Sequence, residues 1–578
     1  MGEETRISER VISRRRLLSL SVFGGAAALL VACGGGNETP STDETHSAGG
    51  GESSGSGGQG TTPAASGDSG DAELADEQVF RYASQEPEDA DPGITGSPWS
   101  LSELFEGLVV IDPRDGSFIP SMAEKYEPNS DGSKWTFTMR PGVVWSDGTP
   151  ITAKDFEWSW KRVMDPQTAS KYAAIFYPIQ NGEEVAKGEL PPDELGVKAI
   201  DDSTFEVTLK EPTPFFPIIA ATWTAYPVPR HVIEKVGNRW LEPENIVVNG
   251  PFILTEWKHD QLMVFEPNPN YWGEKPTLTR AEFILYDDAT AKGLPAYEND
   301  EIDHALVPSS EYDRVREDPV LSKEMQGYPT SSTEQIHFDC SNPPTDDIRV
   351  RQALALGFRR EPLIKDVLKD YYLPAPTILP DDIPGHNPDA ALEGDLEKAK
   401  SLLAEAGFPN GQGWPEDFTL VYRNTSPLPL IAQYLQQEWK QNLGITVQLQ
   451  PMEPRAYVEW RSARETQPYN AHMGIWGSDY SDPSNWHNQL YASNADFYKT
   501  HWKNDEFDSI VAKAMTMTDP DARAAEYAKA EEILIREAAH VPIYHGQRFF
   551  VTKPYVKDVY HFPTAAAGSW LKYIKIVK

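Results

Sequence analysis

Ser478-Asp479-Tyr480-Ser481-Asp482-Pro483 brings carboxylates and hydroxyls together in one short run. On spacing alone it reads as a turn, with Asp capping its own backbone ahead of the Pro. Other reactive groupings are scarce. The twelve histidines never adopt HExxH or another metal-binding spacing, and neither a phosphate-cradling Gly loop nor a dinucleotide fingerprint occurs. Asp and Glu number 88, and no spacing among them singles out a catalytic pair. Gly51-Glu52-Ser53-Ser54-Gly55 fits G-x-S-x-G, but no strand precedes it and no helix follows, so it is no nucleophile elbow. Nothing in these residues positively supports an enzyme, and no metal or cofactor is expected.

The two cysteines, Cys33 and Cys340, supply neither a disulfide framework nor a thiolate metal site. Cys340 reads as a small, inert, half-buried residue. Cys33 closes a leader: Ser13-Arg14-Arg15-Arg16 precedes an apolar run that ends at Leu30-Val31-Ala32-Cys33, the layout of a secretory signal. The run is shorter than a membrane span needs. Ser-Arg-Arg is compatible with twin-arginine export and with an ordinary positive leader. Leu-Val-Ala-Cys resembles the bacterial lipobox, which implies acylation of Cys33 and anchoring through acyl chains buried in the bilayer.

The elements that must position these groups are legible further on. Residues 34–77 are rich in Gly, Ser, Thr and acids, without an aromatic, and predict a flexible tether. Beyond them Lys134–Arg140 and Thr204–Lys210 alternate with period two, as half-buried strands do. Asp395–Ala406 shows helical spacing and stops at Gly407. Phe418–Tyr422, Leu428–Leu443 and Ile445–Leu449 predict a βαβ unit with parallel strands. A chain of 578 residues exceeds one compact core. Its net charge of -36 repels nucleic acid phosphates, so no nucleic acid partner is expected.

Several stretches then occur in a fixed order: Leu104-Phe105-Glu106-Gly107-Leu108, Trp135–Arg140, Trp145–Phe156, Asp165-Pro166 with Thr168-Ala169-Ser170, Gly196–Asp202, Asn249-Gly250, Asn270-Tyr271-Trp272 and Asp347–Leu354. Together they resemble the family 5 extracellular solute-binding proteins, specifically the oligopeptide-binding receptors of peptide ABC transporters. The resemblance implies an α/β, two-lobed, three-domain Venus flytrap fold with mixed sheets and a hinged cleft. Lobe I would combine 78–98, 225–328 and 551–578, an inserted domain II would span 99–224, and lobe III 329–550, with hinges near Pro329 and Phe550. It also implies an extracytoplasmic, membrane-anchored monomer that captures short peptides and delivers them to the permease subunits of an ABC importer. A family 5 receptor for another solute, such as an oligosaccharide, a nickel complex or an opine, is the alternative.

The same resemblance nominates site residues. Asp479 would receive a peptide α-ammonium, since an ammonium entering a closed cleft needs a counter-charge. Ala83-Ser84-Gln85-Glu86 on the first lobe and Ile475-Trp476-Gly477 on the second would clasp the ligand main chain, which gives affinity without reading side chains. Arg464 would meet a ligand carboxylate through its planar fork, although a solvated helix-face charge fits it equally. The chain departs from the pattern at Met473, Pro429 and Gly477, where relatives carry Arg, His and a paired Cys, so C-terminal recognition is left open.

Overall fold

The computed structural model describes residues 72–96, 100–114, 116–392, 394–564 and 568–578. Cys33 and nearly all of the expected tether lie outside these residues. Among the described residues no helix is long and apolar enough to cross a membrane.

An eleven-stranded mixed sheet runs through the molecule in the order Gln448–Met452, Thr419–Arg423, Ala471–Gly477, Met325–Phe338, His540–Thr552, His304–Val307, Val79–Ser84, Arg280–Leu285, Leu262–Pro267 and Phe252–Lys258, with Leu373–Pro374 paired off this path to His540–Thr552. A separate antiparallel sheet joins Ala123–Pro128, Lys134–Met139, Thr204–Thr208 and Val197–Ala199. Its strands alternate as the sequence predicts: Trp135, Phe137 and Met139 are buried, as are Phe205 and Val207. The predicted βαβ unit is present, with Thr419–Arg423 and Gln448–Met452 parallel around the Leu428–Leu443 helix. Its second strand begins three residues later than the hydrophobic pattern suggests. Gly444 ends the helix in the left-handed region at φ 74°. The other predicted helix spans Leu396–Glu405 and is capped by Asp395, which accepts from the Lys398 amide.

Two long strands, Met325–Phe338 and His540–Thr552, carry the sheet from one half to the other. Their antiparallel ladder breaks register between Pro329 and Thr333. Opposite the break stands Gly546. Thr330 and Ser332 share a hydroxyl hydrogen bond of 2.8 Å, and a Cβ on Gly546 would lie 2.2 and 2.1 Å from those two oxygens. No other residue fits without displacing them. This irregularity lies where the sequence reading placed one of its hinges.

The ordered motifs turn out to brace one another. Glu106 is buried and accepts from the hydroxyls of Ser121 (2.7 Å) and Tyr271 (2.5 Å) and from Trp272 Nε1 (3.0 Å). Asn249 pairs with both backbone groups of Glu106, and a Cβ on Gly250 would come within 2.6 Å of the Leu104 backbone. These three motifs of the resemblance are therefore scaffold.

Candidate ligand-binding cleft

A cavity of about 1210 Å³ opens between the two halves of the large sheet, floored by the two long strands. Ala83, Ser84 and Gln85 reach it from one side, and Ile475, Trp476 and Gly477 from the other. The strand Ala471–Gly477 pairs with Met325–Phe338 along its full length, but with Thr419–Arg423 only at Ala471 and His472. From Met473 to Gly477 its second edge meets no strand among the described residues, which leaves backbone donors and acceptors for an added chain. On the facing side, Val79–Ser84 is held by Arg280–Leu285 throughout and by His304 at Tyr82.

Glu86 belongs to the first strip in sequence but not in space. Its carboxylate turns onto its own lobe, where it accepts from Trp257 Nε1 at 2.8 Å and the Asp260 amide at 2.9 Å and meets His259 Nδ1 at 2.9 Å.

Asp479 follows the cleft-lining residues Trp476 and Gly477 in the chain, but does not itself line the cavity and is 4% exposed. Its Oδ1 accepts from the Tyr172 hydroxyl at 2.5 Å and its Oδ2 from Asn485 Nδ2 at 3.1 Å. Tyr172 comes from the segment of the small sheet, and its ring packs on Trp223, a cleft residue, with centroids 4.7 Å apart. A second contact of the same kind stacks Phe215 on Tyr480. The loop is a turn as well: Asp482 accepts from the Ser484 amide. The turn expected of this run is thus made by Asp482, while Asp479 is held by Tyr172 and Asn485. Tyr172, two residues past Thr168-Ala169-Ser170, was not foreseen.

Burial pushes the Asp479 carboxyl up to about 6, against the opposing pull of the Tyr172 and Asn485 hydrogen bonds. A folded pKa above the unfolded value means that this group stabilises the free protein fully below about pH 4 and loses that contribution as pH rises through 6. An ammonium received by Asp479 would reverse the preference by favouring the ionised form. Peptide affinity is therefore expected to fall by about tenfold per pH unit below 6, whereas an N-acetylated peptide should show no such slope. Calorimetric titrations between pH 7 and 5 with both peptides check this, and parallel profiles would refute it.

Arg464 stands apart from the cleft. Its Nε donates to the Trp460 carbonyl at 3.1 Å, Nη2 to Gln467 at 2.7 Å, and the guanidinium lies over the Trp460 ring. The arginines that do reach the cavity include Arg423 and Arg461. Arg423 pairs with Glu334 at 3.1 Å. Burial pushes the Glu334 carboxyl up to about 7 while Arg423 pulls it down, and Glu334 Oε1 and Arg423 Nε lack partners. These residues lie on three different elements and no local pattern announces them. Met473 is buried and points into the core, and Pro429 sits in the first turn of its helix behind Leu428. The cleft is also aromatic: Tyr82, Trp223, Tyr457, Tyr544, Phe550 and Trp570 all face it. Cys340 is half-buried, and burial raises its thiol to about 12, so it stays protonated.

Two lobes joined by long strands around such a cleft define a solute-binding protein of the flytrap class. Residues 117–498 match the family model for bacterial extracellular solute-binding proteins, family 5 Middle, and the chain belongs to this family. It is 35% identical over 503 residues to a probable deoxycholate-binding periplasmic protein of Escherichia coli K12, covering 84% of this chain and 91% of that one. To the periplasmic oligopeptide-binding protein OppA of Salmonella typhimurium LT2 it is 34% identical over 498 residues, covering 84% and 90%. The unliganded open form of the periplasmic murein tripeptide-binding protein MppA superposes with a TM-score of 0.75 at 30% identity, over 88% of this chain and 99% of that one. Haemophilus influenzae OppA in complex with the peptide RPPGFSPFR gives 0.69 at 28% identity, over 88% and 100%.

Proposed function

We propose that this protein captures short peptides in the interlobe cleft and delivers them to the permease subunits of an ABC importer, held at the extracytoplasmic membrane face by an acylated Cys33. The observation that carries the reading is the backbone edge of Gly474–Gly477, which no strand among the described residues pairs, facing the Ala83–Gln85 strip across one cavity. Such an edge recognises an extended chain by its main chain. Asp479 has acceptor capacity beyond its two present hydrogen bonds, so an α-ammonium joins Tyr172 and Asn485 there. Relatives named for oligopeptide and murein peptide binding support the same reading. The domain limits follow it: 78–98, 225–328 and 551–578 form one lobe, 99–224 the inserted domain and 329–550 the other lobe. The register break at Pro329–Thr333 is the pivot on one of the crossing strands.

A second reading keeps the cleft and changes the ligand. The aromatic lining and the relative named for deoxycholate favour an apolar carboxylate such as a steroid acid. Mass spectrometry of molecules copurifying with the protein separates the two. Recovered peptides support the first reading, and steroid acids without peptides would replace it with the second.

A further inference from the structure

Arg461 sits on the Pro454–Ser462 helix and lines the cleft, yet it is only 8% exposed. Its guanidinium lies 4.3 Å from the Phe497 ring centre and 5.7 Å from that of Tyr498. Among the described residues no carboxylate pairs with it and no acceptor hydrogen-bonds it. Among the cleft-lining acids, Glu334 is paired with Arg423 and Glu459 with Arg455 at 3.2 Å. The Tyr457 hydroxyl is occupied by His472 and the Met473 carbonyl, and burial holds His337 and His472, which face Arg461, neutral. Aromatic faces recover part of the cost of burying a cation, up to about 2 kcal/mol. They supply no counter-charge and no acceptor for its N–H groups.

We propose that Arg461, on its aromatic shelf, receives a carboxylate of the bound molecule through its planar fork. For a peptide this deepens the proposed function: the Asp479 end takes the ammonium and the Arg461 corner takes an anionic group, either the C-terminal carboxylate or an acidic side chain. The shelf fixes the guanidinium before the ligand arrives, so little side-chain freedom is lost on binding.

The test titrates the full-length wild type, Arg461→Gln and Arg461→Lys with tri- and tetra-alanine as free acids and as C-terminal amides, with amides carrying one Glu, and with deoxycholate and its methyl ester. The wild type is expected to prefer free acid over amide by roughly 30-fold or more. Arg461→Gln should reduce that preference to within about threefold, and Arg461→Lys should retain part of it. Binding restored by a Glu-containing amide assigns the group to a side chain, and failure to restore assigns it to the C-terminus. The acid-to-amide comparison in the wild type needs no variant, so misfolding of Arg461→Gln does not block the test. If no peptide binds but deoxycholate is preferred over its ester in an Arg461-dependent way, the peptide reading fails and the Arg461 site stands. Equal binding of charged and capped forms, no carboxylate bound at all, or a preference intact in Arg461→Gln overturns the inference.

Discussion

Asp479→Asn is expected to weaken peptide binding by a factor of roughly 30 to several thousand. The carboxylate is buried, and Tyr172 and Asn485 already orient both of its oxygens. An ammonium that leaves water to join it has no other counter-charge in that loop, because Asp482 is committed to Arg523. Removing the charge strands the ammonium at a cost of about 2–5 kcal/mol. Acetylating the peptide amine should do similar damage to the wild type and add little to the variant, since both changes delete one interaction. Four titrations complete this cycle. Additive losses would show that Asp479 and the ammonium do not meet. The Asn side chain still accepts from Tyr172, so the loop itself should persist and thermal stability should change modestly.

Arg523→Met is expected to destabilise the protein by about 3–5 kcal/mol. Arg523 holds Asp482 through two hydrogen bonds, Nη1 to Oδ2 at 2.5 Å and Nη2 to Oδ1 at 2.8 Å, with both residues buried. Its Nε donates to the Ala514 carbonyl at 3.0 Å, and its guanidinium lies 5.0 Å from the ring centres of Phe215 and Tyr527. Loss of the cation leaves the buried Asp482 carboxylate with the Ser484 amide for support. Adding Asp482→Leu to Arg523→Met should recover much of the loss, because an apolar pair avoids the stranded charge. Urea unfolding of the three proteins measures this, with an unchanged slope confirming that only stability moved. A loss below about 1 kcal/mol in the single variant would show that the pair contributes little. Phe215 also stacks on Tyr480, so the single variant should loosen the Asp479 loop and weaken ligand binding secondarily.

How much of this was legible in the chain depends on the range of the signal. Trp135, Phe137 and Met139 announce their strand because a half-buried strand exposes every second side chain to water, and that constraint is written into adjacent residues. The Leu428–Leu443 helix and its flanking strands are legible for the same reason. The ordered motifs identify the family, and the structure gives their physical basis in the mutual bracing of Glu106, Asn249, Gly250, Tyr271 and Trp272. Other features exist only once the lobes come together. Tyr172 and Asp479 are 307 positions apart, and Arg423 finds Glu334 across 89. Arg461 and Arg464 share one local spacing and carry the same charge, yet one faces the cavity and the other bonds back to its own helix. Likewise Glu86 shares a sequence strip with Ala83 and turns away from it. By itself the sequence determined the alternating and helical elements, the family and the loop that holds Asp479, because local burial patterns and backbone chemistry decide those. Which charges are paired, which are left open to a ligand, and which side chains share the cleft were decided by the tertiary structure, since a charge's partner depends on distance in space and on exclusion of water, neither of which neighbouring residues encode.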